Sequence, residues 1–254
     1  MNLFDTNLQK VWYNIEGNGE KYLVLIHGLG QSSDVFIPHL KYFRDSYKII
    51  LPDLPGHGRS SRLKEFPIDY YSQCADIIIS LLQELKVEKA DLIGIRAGSI
   101  IAMNMGVMTP KLVNHIVADS FPGKKISNGN LDLIIEDLER RKKNIFKRLE
   151  WKKYHGSDWK DIIEAKSALM EKMKFTDHRK VVPNISNIEN EVLLIGSARD
   201  DLVPPLSPIY RKLKKKYPHF NIYLFESGKN PAMFSNKKKF HEIVSRFLSD
   251  PVHQ

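Results

Sequence analysis

The chain has 254 residues, enough for one large α/β domain or two small ones, and its 42% hydrophobic and 27% charged residues are ordinary for a folded globule. A net charge of +9 carries no nucleic-acid motif with it, and sixteen Lys/Arg lie among ten Asp/Glu between Lys124 and Lys180. That stretch therefore reads as a solvated helix face, with neither nucleic acid nor membrane expected as a partner. Met1 to Asp5 shows no basic-then-apolar leader, runs such as Ile77 to Ile79 are too short to span a bilayer, and Cys74 is the single cysteine. An internal disulfide is excluded, and a reducing, cytoplasmic setting is expected.

Short apolar strands alternate with helical patterns, the order of a parallel sheet covered by helices on both faces. Residues 11–15 and 22–26 flank Gly17-Asn18-Gly19 and read as a hairpin. Further strands are expected at 47–51, 91–95, 115–118, 192–195 and 222–225, with continuous apolar runs. Tyr71, Cys74, Ala75, Ile78, Leu82 and Leu85 repeat at helical spacing, which makes Cys74 a structural thiol. Residues 97–108 form a helix apolar nearly all round. Between about 121 and 185 two helices without a strand are expected, one striped by Leu131, Ile134, Leu138, Phe146 and Leu149, the other by Trp159, Ile162, Leu169 and Met173. Gly156-Ser157-Asp158 separates them, and the pair is expected to cover the strand ends as a lid. A last amphipathic helix carries Phe240, Val244 and Phe247, with Ser235 as its expected N-cap.

The chemistry concentrates at Leu92-Ile93-Gly94-Ile95-Arg96-Ala97-Gly98-Ser99, a strand running through a tight turn into a helix. Gly94 and Gly98 frame the G-x-S-x-G turn that presents a nucleophilic serine, but Arg96 stands at the serine position. An arginine stays protonated and offers no lone pair for attack. Three other segments carry further motifs: His27-Gly28-Leu29-Gly30 after a strand, Asp53-Leu54-Pro55-Gly56-His57-Gly58-Arg59-Ser60 after the next, and Gly196 to Pro205.

Together these segments resemble the α/β-hydrolase fold over nearly the whole chain. The resemblance implies a mostly parallel sheet flanked by helices. Residues 1–120 and 186–254 would form the core, and 121–185 a helical cap inserted after the sixth strand of that fold. It places the acid at Asp200, with Asp201 as the weaker candidate, and the histidine position at Lys229 in Ser227-Gly228-Lys229-Asn230-Pro231. Backbone amides of Leu29 and Ala97 would form the oxyanion hole, next to His27 and Gly28, and Asp119 at a strand end is a pocket candidate. Ser99, His57 in a surface loop, and His241 are weak substitutes for a lost nucleophile or base. No metal-ligand spacing is present, and no cofactor is implied.

Two of three triad positions thus depart from the pattern, and the ordinary acyl-enzyme route is closed to Arg96, Asp200 and Lys229. Several readings stay open. The pocket could bind a small anion such as a carboxylate or phosphate, since arginine and a helix N-terminus both favour negative charge. Arg96 and Lys229 could instead pair with Asp200 and plug the cavity. Lys229, its pKa lowered beside Arg96, could act as an amine nucleophile or base, in Schiff-base or proton-abstraction chemistry on a keto acid or more broadly as a hydrolase or lyase on an ester or C–C bond of a small carbonyl or ester substrate. The basic cap could also face a protein partner.

Overall fold

In a computed structural model, residues 2–6, 9–198 and 205–249 are described. One eight-stranded sheet forms the centre, ordered β1 (Asn2–Thr6), β2 (Gln9–Glu16), β4 (Tyr47–Pro52), β3 (Lys21–Ile26), β5 (Ala90–Ile95), β6 (Val113–Asp119), β7 (Glu191–Ser197) and β8 (Phe220–Phe225). From β3 to β8 all neighbours pair in parallel, and β2 runs against both of its neighbours. β1 is absent from the sequence reading, because Asn2, Asp5 and Thr6 dilute its apolar signal at a sheet edge.

Strand residues alternate between two cores. Val24, Ile26, Leu92, Ile116 and Leu194 face one side, against α1 (Tyr70–Glu84) and α2 (Ala97–Met108). Leu23, Leu25, Ile93, Val117 and Ile195 face the other, against Phe240, Val244 and Leu248 of α8 (Lys237–Ser249). Both faces are dry, which is why the strands read as unbroken apolar runs. Cys74 is buried in the first core, and burial pushes its thiol pKa up.

The expected hairpin does not form: β4 lies between β2 and β3. A Cβ on Gly17 would meet the carbonyl oxygen of Tyr47 at 2.3 Å, and one on Gly19 the Ser46 carbonyl carbon at 1.9 Å. Gly17-Asn18-Gly19 therefore carries the chain tightly past the start of β4 instead of folding it back, and Asn18 N donates to Arg44 O.

The segment between β6 and β7 holds three helices, not two: α3 (Asn128–Lys142), α4 (Ile145–His155) and α5 (Trp159–Lys174). The first expected stripe breaks at Asn144, whose side chain accepts from Lys147 N and caps α4. Beyond that break the stripe turns outward, and Phe146 is 76% exposed. Ser235 does not cap the last helix. It ends a short helical turn, α7 (Ala232–Ser235), and its hydroxyl donates to Lys229 O, while Phe240 N donates to Asn236 O. α6 (Leu206–Lys216) packs beside β7 and β8 through Leu206 and Tyr210. Among the described residues, no helix is long and apolar enough to cross a membrane.

The turn from β5 into α2 depends on two glycines. A Cβ on Gly94 would lie 2.2 Å from Gly98 O, and one on Gly98 would lie 2.0 Å from Ile26 O. Gly98→Ala is expected to cost about 3 kcal/mol or more in urea denaturation, because backbone must move on both sides. Gly129→Ala in α3 meets nothing within 4 Å and is expected to be neutral or to stabilise by up to about 1 kcal/mol.

Candidate active site

Arg96 stands at the C-terminal end of β5 with φ 54° and ψ −119°, a conformation that costs a non-glycine residue on the order of 1–3 kcal/mol. The surroundings hold it there. Its amide donates to Asp119 O at 2.9 Å, and its carbonyl accepts from Ser99 N at 3.0 Å. The Ser99 hydroxyl also donates to that carbonyl, and Ser99 is fully buried, so it serves the turn. Gly28 backs the arginine stem: a Cβ there would meet Arg96 Cβ at 3.2 Å.

The loop after β8 meets Arg96 through Asn230, not Lys229. Arg96 Nε donates to Asn230 Oδ1 at 2.6 Å, and Nη2 donates to Asn230 O at 2.5 Å. Asn230 is buried, whereas Lys229 is exposed and does not line the cavity in front of Arg96. Lys229 contributes its backbone to the loop instead, its carbonyl oxygen accepting from the Ser235 hydroxyl at 2.8 Å. Asp200 and Asp201 lie outside the described residues.

That cavity encloses roughly 100 Å3 between the strand ends and the cap. Leu29, Arg96 and Ala97 line it from the core, and Ile134, Leu138 and Lys166 from α3 and α5. Among the described residues, the amides of Leu29 and Ala97 have no protein acceptor. Ser120 also reaches the cavity, at φ 58°, but its hydroxyl donates to Asp119 Oδ1 at 3.0 Å.

His27 and Asp119 lie behind the cavity wall. Leu54 N donates to His27 Nε2 at 2.9 Å, so Nδ1 carries the proton and donates to Gly28 O. Burial lowers its pKa further, and the ring is a neutral brace between two loops. Asp119 accepts from Ala232 N and Met233 N at 3.0 and 2.8 Å, which ties β6 to the last loop. His57 is fully buried, contrary to the surface loop expected for it, and its ring stacks on Phe66. His241 is buried against His39. Asp53 is the buried carboxylate of the glycine-rich loop. Burial alone would raise its pKa, but the Arg59 guanidinium and amides of Ser33 and Arg59 outweigh it and lower it.

Lys166 is the residue that sequence reasoning missed. Its Nζ donates to Leu29 O at 3.0 Å, joining the cap to the loop after β3. Burial, then the charges of Arg96 and Arg141, lower its pKa to about 7, against an opposing pull from Asp137. Asp137 is itself ion-paired with Arg140 and Arg141. A signal existed: position 166 lies three or four residues from Ile162, Ile163, Leu169 and Met170, all buried on one face of α5.

Residues 21–150 match the family model of the alpha/beta hydrolase fold, and the chain belongs to that family. Over 117 residues it is 32% identical to an (E)-2-((N-methylformamido)methylene)succinate hydrolase of Acinetobacter baylyi, which covers 44% of this chain and 41% of that protein. The chain thus spans about two fifths of the length of the curated relatives it matches at that level. It is 22% identical over 244 residues to a putative carbamate hydrolase of Agrobacterium fabrum, covering 89% and 92% of the two chains. A solved hydrolase from Pseudomonas aeruginosa shares the fold, with a TM-score of 0.77, 15% identity and 98% of both chains covered.

Lys166 binds protons less tightly folded than at its ordinary value of 10.5. Between about pH 7 and 10.5 the unfolded chain holds more protons, so stability gains with rising pH. Relative to Lys166→Met, the wild type is expected to gain in urea midpoint from pH 7 to pH 10. A constant difference over that range would contradict the assigned shift.

Proposed function

We propose that this site holds a small organic anion with an apolar body and does not run the serine acyl-enzyme reaction. The observation that carries the reading is the pairing of Arg96 with Lys166 on the wall of one mainly apolar cavity. Arg96 occupies the turn position from which a nucleophile would attack, and a guanidinium cannot do so. It suits two-point capture of a carboxylate or phosphate. The amides of Leu29 and Ala97 and the N-terminus of α2 add donors of the same polarity, in the place where the family stabilises an oxyanion. Tyr71, Ile134, Leu138 and Met170 supply walls for a hydrocarbon chain. A relative that acts on a succinate derivative is in keeping with an anionic ligand.

The cap and core would close over the ligand as two parts of one unit. Arg62 Nε donates to Asp158 and Nη2 to His155 O, and Lys172 pairs with Glu65. A soluble, cytoplasmic protein working on a metabolite-sized anion is the reading we favour.

One observation supports a second reading. The two hydrogen bonds that Arg96 donates to Asn230 would also hold the guanidinium as a plug. Thermal unfolding in the presence of alkanoates and alkyl phosphates separates the two. Ligand binding predicts stabilisation that Arg96→Ala removes, and a plug predicts none. In parallel, p-nitrophenyl butyrate is expected to turn over no faster with native protein than with a denatured control. Turnover that survives in Arg96→Ala would place a nucleophile elsewhere, with Ser120 the first to replace.

A further inference from the structure

The geometry points to Lys166 as an amine that captures the carbonyl of an oxo acid as a reversible imine, while Arg96 holds the acid's carboxylate. This rests on the anion-binding reading above and names the ligand class for the same cavity.

Lys166 is half-buried on the inward face of α5 and lines the cavity together with Leu29, Arg96 and Ala97. Its hydrogen bond to Leu29 O fixes the nitrogen beside the loop whose amide would face a carbonyl oxygen. A Cβ added to Gly30 would come within 3.7 Å of both Lys166 Cδ and Nζ, so the stem lies flat on that loop. A neutral amine can donate one N–H to Leu29 O and keep its lone pair for attack.

The charges facing Nζ favour the neutral form. Arg96 from the turn and Arg141 from α3 oppose a third cation, Asp137 favours it, and buried His57 senses the same charge. A carboxylate seated on Arg96 would weaken one of these effects. Burial, the largest of them, would deepen once the ligand fills the cavity. A lysine desolvated beside another cation is a known way to make an amine nucleophile.

The step is balanced without any co-reactant. The Nζ lone pair bonds to the carbonyl carbon, and the C–O π pair moves to oxygen, within reach of the Leu29 and Ala97 amides. A proton passes from nitrogen to that oxygen to give a carbinolamine. The nitrogen lone pair then forms the C=N bond, and the oxygen leaves with a second proton as water. One amine and one carbonyl become one imine and one water.

The test uses 2-oxohexanoate with cyanoborohydride on the whole protein, with hexanoate as the carbonyl-free control. Reduction should leave one secondary amine, located at Lys166 by peptide mass. At pH 7 it should form on the order of tenfold or more faster than on surface lysines, since an ordinary lysine is almost wholly protonated there. The rate should rise through about pH 7. Lys166→Met and Lys166→Arg should both lose the label, and circular dichroism of the Arg variant checks its fold. Labelling spread over surface lysines, or unchanged in Lys166→Arg, would overturn the inference. Hexanoate binding without a trapped oxo acid would overturn it and leave anion binding standing. Binding of neither acid would overturn both.

Discussion

The turn between β5 and α2 fixes most of what this molecule can do. It brings Arg96 out of the sheet with φ 54° and starts a buried helix one residue later. Gly94 and Gly98 permit that, because any Cβ would drive strand, helix and β3 apart. Ile26, whose carbonyl touches Gly98, belongs to the strand that delivers Leu29 to the cavity. The same few contacts therefore set the position of the side chain at 96, of the loop amides beside it, and of the first turn of α2. A scaffold of this kind keeps its donors when the residue at its centre changes, since the donors are backbone. What changes is the side chain: an arginine at that point sets a guanidinium where a nucleophile would stand.

The cap completes the electrostatics. Lys166 comes from α5, between β6 and β7 in the chain, yet its amine is hydrogen-bonded to a carbonyl of the loop after β3. Arg96 and Lys166 face one space, and each makes the other's charge costlier in an apolar setting. Two responses lower that cost: an anion in the cavity, or loss of the lysine proton near neutral pH. The proposed ligand and the proposed amine chemistry are these two responses, and an oxo acid would draw on both.

Much of this was legible in the sequence, for reasons that differ by residue. The family's turn, the Asp53 to Ser60 loop and the individual strands from β2 to β8 are local patterns, and local patterns survive translation into coordinates. Arg96 could be placed because two glycines bracket it. Lys229 misled because a single-residue offset in a loop reverses which side chain faces inward, and Asn230 took the place. The hairpin failed for a non-local reason: nothing in residues 11–26 announces that β4 will insert between its two strands. Lys166 was hidden by its residue type, since lysine in a charged segment reads as surface. Only its phase among Ile163, Leu169 and Met170 marks it as inward.

The most direct measurement is a crystal structure of the protein soaked in hexanoate. The carboxylate is expected on the Arg96 guanidinium and within hydrogen-bond reach of the Leu29 and Ala97 amides, with the alkyl chain against Ile134 and Leu138. A hexanoate found only on surface lysines, with the cavity in front of Arg96 unchanged, would contradict the assignment of this site to organic anions.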